Sequence, residues 1–107
     1  MVEADEHALS NIRSMCAVAM TSAEDVAQPI QTDMTRLSKL RFASAKRMSL
    51  ELAKTISDAS YRDAALRHII ELCVTASDME ASRILVQGIQ SEPIREELLL
   101  TYPALFR

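Results

Sequence analysis

A chain of 107 residues is long enough for one domain with its own core, and a composition that is 49% hydrophobic but only 4% aromatic requires an aliphatic core. One glycine and three prolines leave too few turn formers for the hairpins of an all-β fold, so an all-α fold is favoured. The net charge of −3 gives no overall attraction to phosphate backbones or anionic lipid, and binding to nucleic acid would need a local basic patch.

The amino-terminal segment and the two cysteines indicate a cytoplasmic protein. Residues 1–6 are acidic rather than basic, and no apolar run approaches the roughly 20 residues that span a bilayer. We therefore expect neither a signal peptide nor a membrane helix. Cys16 and Cys73 each lie in an apolar helical pattern, which predicts buried, reduced thiols rather than the stapled loops of a small secreted scaffold.

Residues 1–32 predict an amphipathic helix followed by an irregular connection. Over residues 5–20, the apolar side chains at helical spacing are Leu9, Ile12, Cys16 and Ala19. We expect Thr21 and Ser22 to interrupt this helix, because Ser22 with Asp25 resembles a capping box. Pro29 should then distort or end the short turn that follows.

A second helical pattern begins after Thr32 or Asp33, either of which can cap it, and runs to about residue 56. Its apolar arc at about 100° per residue is formed by Met34, Leu37, Ala45, Met48, Leu52 and Ile56. The same spacing places Arg41 in the middle of that arc. Either the helix breaks near residues 40–43, or Arg41 reaches solvent along its stem, or a buried guanidinium has an acidic partner; a break or a solvated arginine is favoured.

Three more helices are predicted in the carboxyl-terminal half, which gives four to six in all. The third contains Tyr61, Ala65, Ile69, Cys73 and Ala76. Ser77 with Glu80 resembles a capping box that begins the fourth helix, whose predicted apolar face is Ala81, Ile84, Leu85, Gly88 and Ile89, with Gly88 allowing close backbone approach. Ser91 should cap the last helix, with Pro93 in its first turn and Pro103 at its end.

The chain repeats part of its pattern after 33 residues, which predicts stacked helical hairpins over residues 33–107. The shift aligns Ile56 with Ile89, Arg62 with Arg95, Asp63 with Glu96, Leu66 with Leu99 and Leu72 with Leu105. The whole chain, residues 1–107, is then one helical domain.

Over residues 49–107 the order of short motifs resembles that of tetratricopeptide repeats. Ala65 and Leu66, Ser77 and Asp78, Glu80 and Ala81, and Glu92 and Pro93 are similar to the alanine, glycine-aspartate, glutamate-alanine and aspartate-proline rhythm of that family, with Ser77 in place of the usual glycine. The resemblance implies antiparallel helix pairs in a short superhelix whose concave face binds a peptide or helix of another protein. With barely two repeats, an apolar end would be covered by the amino-terminal helices or by a second copy.

No catalytic, cofactor-binding or metal-binding residue is expected. His7 and His68 lack a cysteine or histidine partner at ligand spacing, and Gly88, the single glycine, excludes a glycine-rich phosphate loop. His68 and Cys73 would point in divergent directions on a helix, which argues against a nucleophile and base. We therefore expect a protein that is not an enzyme and uses no cofactor.

The candidate partner-binding residues lie in two places. Residues 34–50 carry five cations and no acid: Arg36, Lys39, Arg41, Lys46 and Arg47. The functional interpretation is a contact for an acidic protein surface or a phosphate backbone, and the favoured alternative is a solvated face that pairs with acids of the same chain. The other candidates are Leu98, Leu99 and Tyr102, on the apolar face of the last helix.

These observations predict a non-enzymatic protein interaction module. Such an adaptor, chaperone-like partner or regulator would dock a segment of another protein, or of itself as a homo-oligomer, against its helical faces. The alternative is a dimeric, nucleic-acid-associated transcriptional regulator that places the basic helix at residues 36–47 on phosphates. A self-assembling structural protein is the third hypothesis.

Overall fold

The computed structural model describes residues 2–106, which form five α-helices and a final 3₁₀ turn. The elements are α1 (Val2–Val26), α2 (Asp33–Ala53), α3 (Ala59–Thr75), α4 (Met79–Val86), α5 (Glu92–Thr101) and the turn Pro103–Phe106. This part of the chain contains no strand, which confirms the all-α prediction. Within residues 2–106, none of the helices is both long enough and apolar enough to cross a bilayer.

Helix α1 continues past the point where the sequence predicted a break. The predicted apolar face is buried, and Ser22 and Ala23 are buried as well, because α1 packs along α2 and ends only at Val26. The predicted interruption at Thr21 and Ser22 is therefore wrong, since Ser22 is an interface residue rather than a cap. The connection between the two helices is confined to residues 27–32.

Helix α2 is unbroken and buries a face made largely of small side chains. Thr32 caps it in a reciprocal capping box with Thr35. Small residues at this interface let the two helices approach closely, and Cys16 Sγ lies 3.8 Å from Ser49 Oγ. The buried residues of α2 are Thr35, Ser38, Phe42, Ser49 and Ala53.

The predicted apolar arc of α2 is wrong in part: Ile56 is buried and Ala45 and Leu52 are half-buried, but the other three predicted residues face solvent, because mainly small residues face α1. Met34, Leu37 and Met48 are 75%, 44% and 49% exposed. Arg41 lies exposed on an unbroken helix, so of the three alternatives for this residue only an arginine that reaches solvent fits.

The core consists of two apolar clusters that share α3. Most of the first cluster, between α1, α2 and α3, is alanine, cysteine and isoleucine, including Ile12, Cys16 and Ile69. The second cluster, between α3, α4, α5 and the 3₁₀ turn, consists of Ile70, Val86, Ile89, Leu98 and Leu105. The molecule is a thin slab of 43 × 31 × 16 Å. Its accessible surface of 6642 Å² exceeds the roughly 5,900 Å² expected for a compact monomer of this mass.

The joint between α3 and α4 differs by one residue from the prediction. Ser77 adopts a left-handed φ of 62°, and the Asp78 amide donates a hydrogen bond of 2.8 Å to the Cys73 carbonyl, which ends α3 as a Schellman motif. The Asp78 carboxylate accepts a hydrogen bond from the Ala81 amide at 3.3 Å. Asp78 therefore caps α4, and the predicted cap at Ser77 is wrong because Ser77 instead ends α3.

The predicted roles of Ile84 and Gly88 are also wrong. Ile84 is 62% exposed, and the buried residues of α4 are Ser82 and Val86. Gly88 lies beyond the end of α4, and a Cβ at that position would be 3.4 Å from the Leu85 carbonyl oxygen, so no close approach requires a glycine there.

Two buried aspartates hold equivalent joints, one at the start of α3 and one at the start of α5. The carboxylate of Asp5 accepts hydrogen bonds from the amides of Ser57 and Asp58 at 3.2 and 3.0 Å. The carboxylate of Asp63 accepts them from Gln90 at 3.2 Å and Ser91 at 2.9 Å. The amides that donate these hydrogen bonds in the two joints are therefore 33 residues apart, the same spacing as the sequence repeat.

Burial follows the 33-residue repeat at two of its aligned apolar pairs but not at Leu66 and Leu99, since Leu99 is 44% exposed. Ile56 and Ile89 are 2% and 1% exposed, and Leu72 and Leu105 are 0% and 4% exposed. Glu96, which aligns with Asp63, is exposed because no further helix follows α5 in the described chain.

Candidate functional site

An open apolar groove of about 650 Å³ lies between the outer faces of α1 and α2. Val18 is 83% exposed and Leu40 65% exposed, although both are aliphatic. This volume lies within the range of about 300–1,000 Å³ that is typical of ligand sites. The lining consists of Ser14, Met15, Val18, Ala19, Ser22, Leu40, Arg41, Ser44, Ala45 and Met48.

The groove results from the way in which the two long helices pack. Their interface is made from small side chains such as Cys16, Ser22 and Ser49, so the larger apolar side chains are left on the flank of the helix pair. A second depression of about 550 Å³ extends the groove toward the end of α2. It is lined by Asn11, Ser14, Met15, Met48, Glu51, Leu52 and Thr55.

The charge near the main groove is positive, whereas Glu51 lines its extension. Arg41 is the charged residue in the lining. Arg36, Lys39 and Arg47 are exposed elsewhere on α2, and among residues 2–106 none of these four cations forms an ion pair. The flank of α2 therefore offers uncompensated positive charge beside an apolar surface.

Lys46 differs from the other four cations of the basic stretch. Its Nζ lies 2.8 Å from Asp78 Oδ2 and 5.3 Å from the centroid of the Phe42 ring. Lys46 thus joins α2 to the start of α4, and here the favoured alternative, pairing with an acid of the same chain, holds for one residue of the five.

The predicted carboxyl-terminal candidates lie on a different surface from the groove. Leu98 is only 2% exposed and belongs to the second cluster, so it has no surface to offer a partner. Leu99 is 44% exposed and Tyr102 is partly buried. None of them lines the groove, so the structure divides the predicted site between two places.

The sequence interpretation missed the residues that give the groove its apolar character. Val18 and Leu40 are aliphatic residues outside the buried stripes of their helices. Leu100, which is 82% exposed, likewise lies outside the buried face of α5. An apolar residue that falls outside the stripe is the signal that could have found them.

Burial is the main cause of the pKa shifts of Cys16, Cys73 and His68. Burial raises the pKa of Cys73 to about 12, and burial also raises the pKa of Cys16, against the opposing hydrogen bond with Ser49. Thiols with raised pKa values are poor nucleophiles. Burial lowers the pKa of His68, while the nearby Glu71 opposes that shift. Among residues 2–106 no three histidine, cysteine or acidic side chains are placed to hold a metal ion.

Comparison with protein-family models, with curated proteins and with solved structures finds no match for this chain. The groove and the charge around it therefore carry the functional argument.

Proposed function

We propose that this chain is a non-enzymatic protein interaction module whose α1/α2 groove docks a helical segment of a partner protein. The observation that carries the proposal is the groove itself, where Val18, Leu40 and Met48 present aliphatic and thioether surface to solvent. Contiguous apolar surface of this kind marks interaction sites in soluble proteins. A helix laid into a hydrophobic groove is a recurring mode of peptide recognition.

The shape and chemistry of the groove favour a helix over an extended strand. Its walls are two helix faces, and neither offers the row of unpaired backbone amides and carbonyls that pairing with a strand requires. Met15 and Met48, which lie in both depressions, are adaptable side chains that fill irregular contacts. Arg41 and the exposed cations of α2 would favour an acidic flank on the bound helix.

A nucleic-acid partner is less well supported by the same surface. Phosphate contacts need several cations converging on a backbone, whereas the groove has Arg41 alone among otherwise uncharged side chains. Lys46, one of the five basic residues, is already paired with Asp78. The regulator hypothesis thus depends on Arg36, Lys39 and Arg47, outside the groove.

Site-specific photocrosslinking in the cells that produce the protein tests the proposal. The full chain would carry p-benzoylphenylalanine in place of Val18, and a matched control would carry it in place of Ile84, an exposed aliphatic residue on α4. We expect a covalent protein adduct from position 18 that resists nuclease and is lost when Leu40→Lys is added. Val18 and Ile84 are both highly exposed, so replacing either of them should leave the helical circular dichroism unchanged.

Three results would contradict the docking proposal. The first is an equal pattern of adducts from positions 18 and 84, and the second is an adduct that persists in Leu40→Lys. The third is an adduct that nuclease digests, which would support the nucleic-acid regulator instead.

A further inference from the structure

Helix α5 carries a surface complementary to the groove. It contains three glutamates and one arginine, and its last turn exposes Leu99 and Leu100, which are 44% and 82% exposed. Glu97 pairs with Arg67 at 3.2 Å, whereas Glu92 and Glu96 are exposed and form no ion pair within residues 2–106. On a helix, residues 92, 96 and 100 follow one another at intervals of four and share one stripe.

The groove presents the opposite chemistry at a matching length. Its apolar lining spans nine residues, and thus eight helical rises, of each helix, from 14 to 22 on α1 and from 40 to 48 on α2. At 1.5 Å per residue this is about 12 Å, close to the roughly 15 Å length of the ten-residue α5. Arg41 lies in the lining and Arg47 is exposed on the same helix, so an acidic, leucine-bearing helix fits both the shape and the charge.

We infer that the occupant of the groove is the α5 helix of a second copy of this chain. The inference rests on the proposed function of the groove and specifies its partner. Helix α5 is held in its own molecule by Leu98 in the second cluster and by Asp63 at its start, and that arrangement leaves the stripe of Glu92, Glu96 and Leu100 facing outward. The groove on α1 and α2 contains no residue of α5, so each copy offers one free groove and one free helix.

This contact is heterologous, because the surface that one copy uses differs from the surface that the next copy uses. Repetition of a heterologous contact gives a ring or an open chain rather than a closed twofold dimer. The exposed Glu96, which takes the place of Asp63 at the end of the repeat, lies on the α5 surface that joins the copies.

The test uses the purified full chain and two single substitutions of strongly exposed residues. Val18→Lys blocks the groove, and Leu100→Lys removes the most exposed leucine of α5; these residues are 83% and 82% exposed. Sedimentation velocity of the unmodified chain should show a mean mass that rises with concentration beyond that of a dimer. Each substitution should weaken association by about tenfold or more, while Ile84→Lys should leave it unchanged.

Mixing the two variants gives the decisive measurement. The Val18→Lys chain retains a free α5 and the Leu100→Lys chain retains a free groove, so an equimolar mixture should form a one-to-one complex that grows no further. The same charge on both substituted surfaces keeps those two surfaces from pairing with each other. Circular dichroism of each variant should match that of the unmodified chain.

Several results would overturn the inference. They are a monomeric mass at every concentration, association that persists in both variants, and a failure of the two monomeric variants to pair. If the purified chain is monomeric while p-benzoylphenylalanine at position 18 still captures a different protein in cells, self-assembly falls and the docking function stands. If neither self-assembly nor the adduct from position 18 depends on the groove, both the self-assembly inference and the docking proposal are wrong.

Discussion

The two halves of the molecule use the same joint with different helices. In the first half, Asp5 of α1 holds the amides that precede α3, and in the second, Asp63 of α3 holds the amides that precede α5. The helices between these joints differ, since α2 has 21 residues and α4 has 8. The comparison indicates that the two halves share a buried carboxylate and an isoleucine beside each joint, Ile56 and Ile89, whereas they do not share the length of the intervening helix.

The difference in length explains where the candidate site lies. Two long helices packed through small residues leave a flank of large apolar side chains, which forms the groove between α1 and α2. The short α4 and α5 fill their cluster with larger residues such as Val86 and Leu98, and what remains exposed is the α5 stripe. The first half thus exposes a groove, and the second half exposes the stripe on α5.

The largest effect is expected from removal of the carboxylate that holds α5. Asp63 is 2% exposed, and Asp63→Ala would remove the acceptor for the amides of Gln90 and Ser91. Hydrogen bonds to a charged group contribute about 1.5–3 kcal/mol each, and partial rehydration of the freed amides should reduce the total loss in the free energy of unfolding to about 3 kcal/mol. Urea unfolding followed by circular dichroism measures this loss.

Asp5 and Glu96 provide the matched comparison for Asp63. Asp5→Ala should lower the free energy of unfolding by about 1.5 kcal/mol, because Asp5 lies in the first turn of α1, where fraying admits water to the freed amides. Glu96→Ala should change it by less than about 0.5 kcal/mol, since Glu96 is exposed. A loss at Glu96 as large as that at either aspartate would show that the buried hydrogen bonds of the two joints are not its cause.

A smaller effect is expected at the ion pair that ties the two halves together. Lys46 and Asp78 have side chains that are 29% and 26% exposed, so solvent screens their attraction only in part. Lys46→Met keeps apolar contact with Phe42 but removes the charge, and should lower the free energy of unfolding by about 1 kcal/mol. Lys39→Met, at an exposed cation without an ion pair within residues 2–106, is the control and should have no measurable effect. A similar loss in both variants would show that the ion pair between Lys46 and Asp78 does not stabilise the contact between the two halves.

Helix positions could largely be predicted from the sequence because caps and breakers act locally. Thr32 and Ser91 cap α2 and α5 as two of the predicted signals indicated, and Pro93 lies in the first turn of α5. The predicted cap at Ser77 failed by one residue. Serine and aspartate both have side chains that can cap, and only the backbone conformation at the end of α3 distinguishes them.

The buried faces and the groove could not be predicted in the same way. The apolar spacing of α2 predicted that Met34 and Met48 face the core, but the structure buries Ser38 and Ser49 instead, because close packing of two long helices favours small side chains. Whether Met48 faces the core or solvent depends on where α1 lies, and the pattern within α2 does not contain that information. The basic stretch could be predicted because its charges are adjacent in the sequence. Val18 could not be assigned to the groove, because it lies on α1 and the groove forms only where α1 packs against α2.

The smallest effect is expected at the joint between α3 and α4, where Ser77 has a left-handed backbone conformation. Ser77 is the only residue other than glycine with positive φ among residues 2–106, and the corresponding end of α2, at Lys54, stays right-handed. Ser77→Gly should raise the free energy of unfolding by roughly 0.5 kcal/mol, because glycine avoids the left-handed penalty but loses more backbone entropy on folding. Ser77→Ala keeps the penalty and should not stabilise. If Ser77→Gly instead lowers the midpoint of urea unfolding, the serine side chain must stabilise this joint. That stabilisation would then exceed the cost of the left-handed backbone at the end of α3.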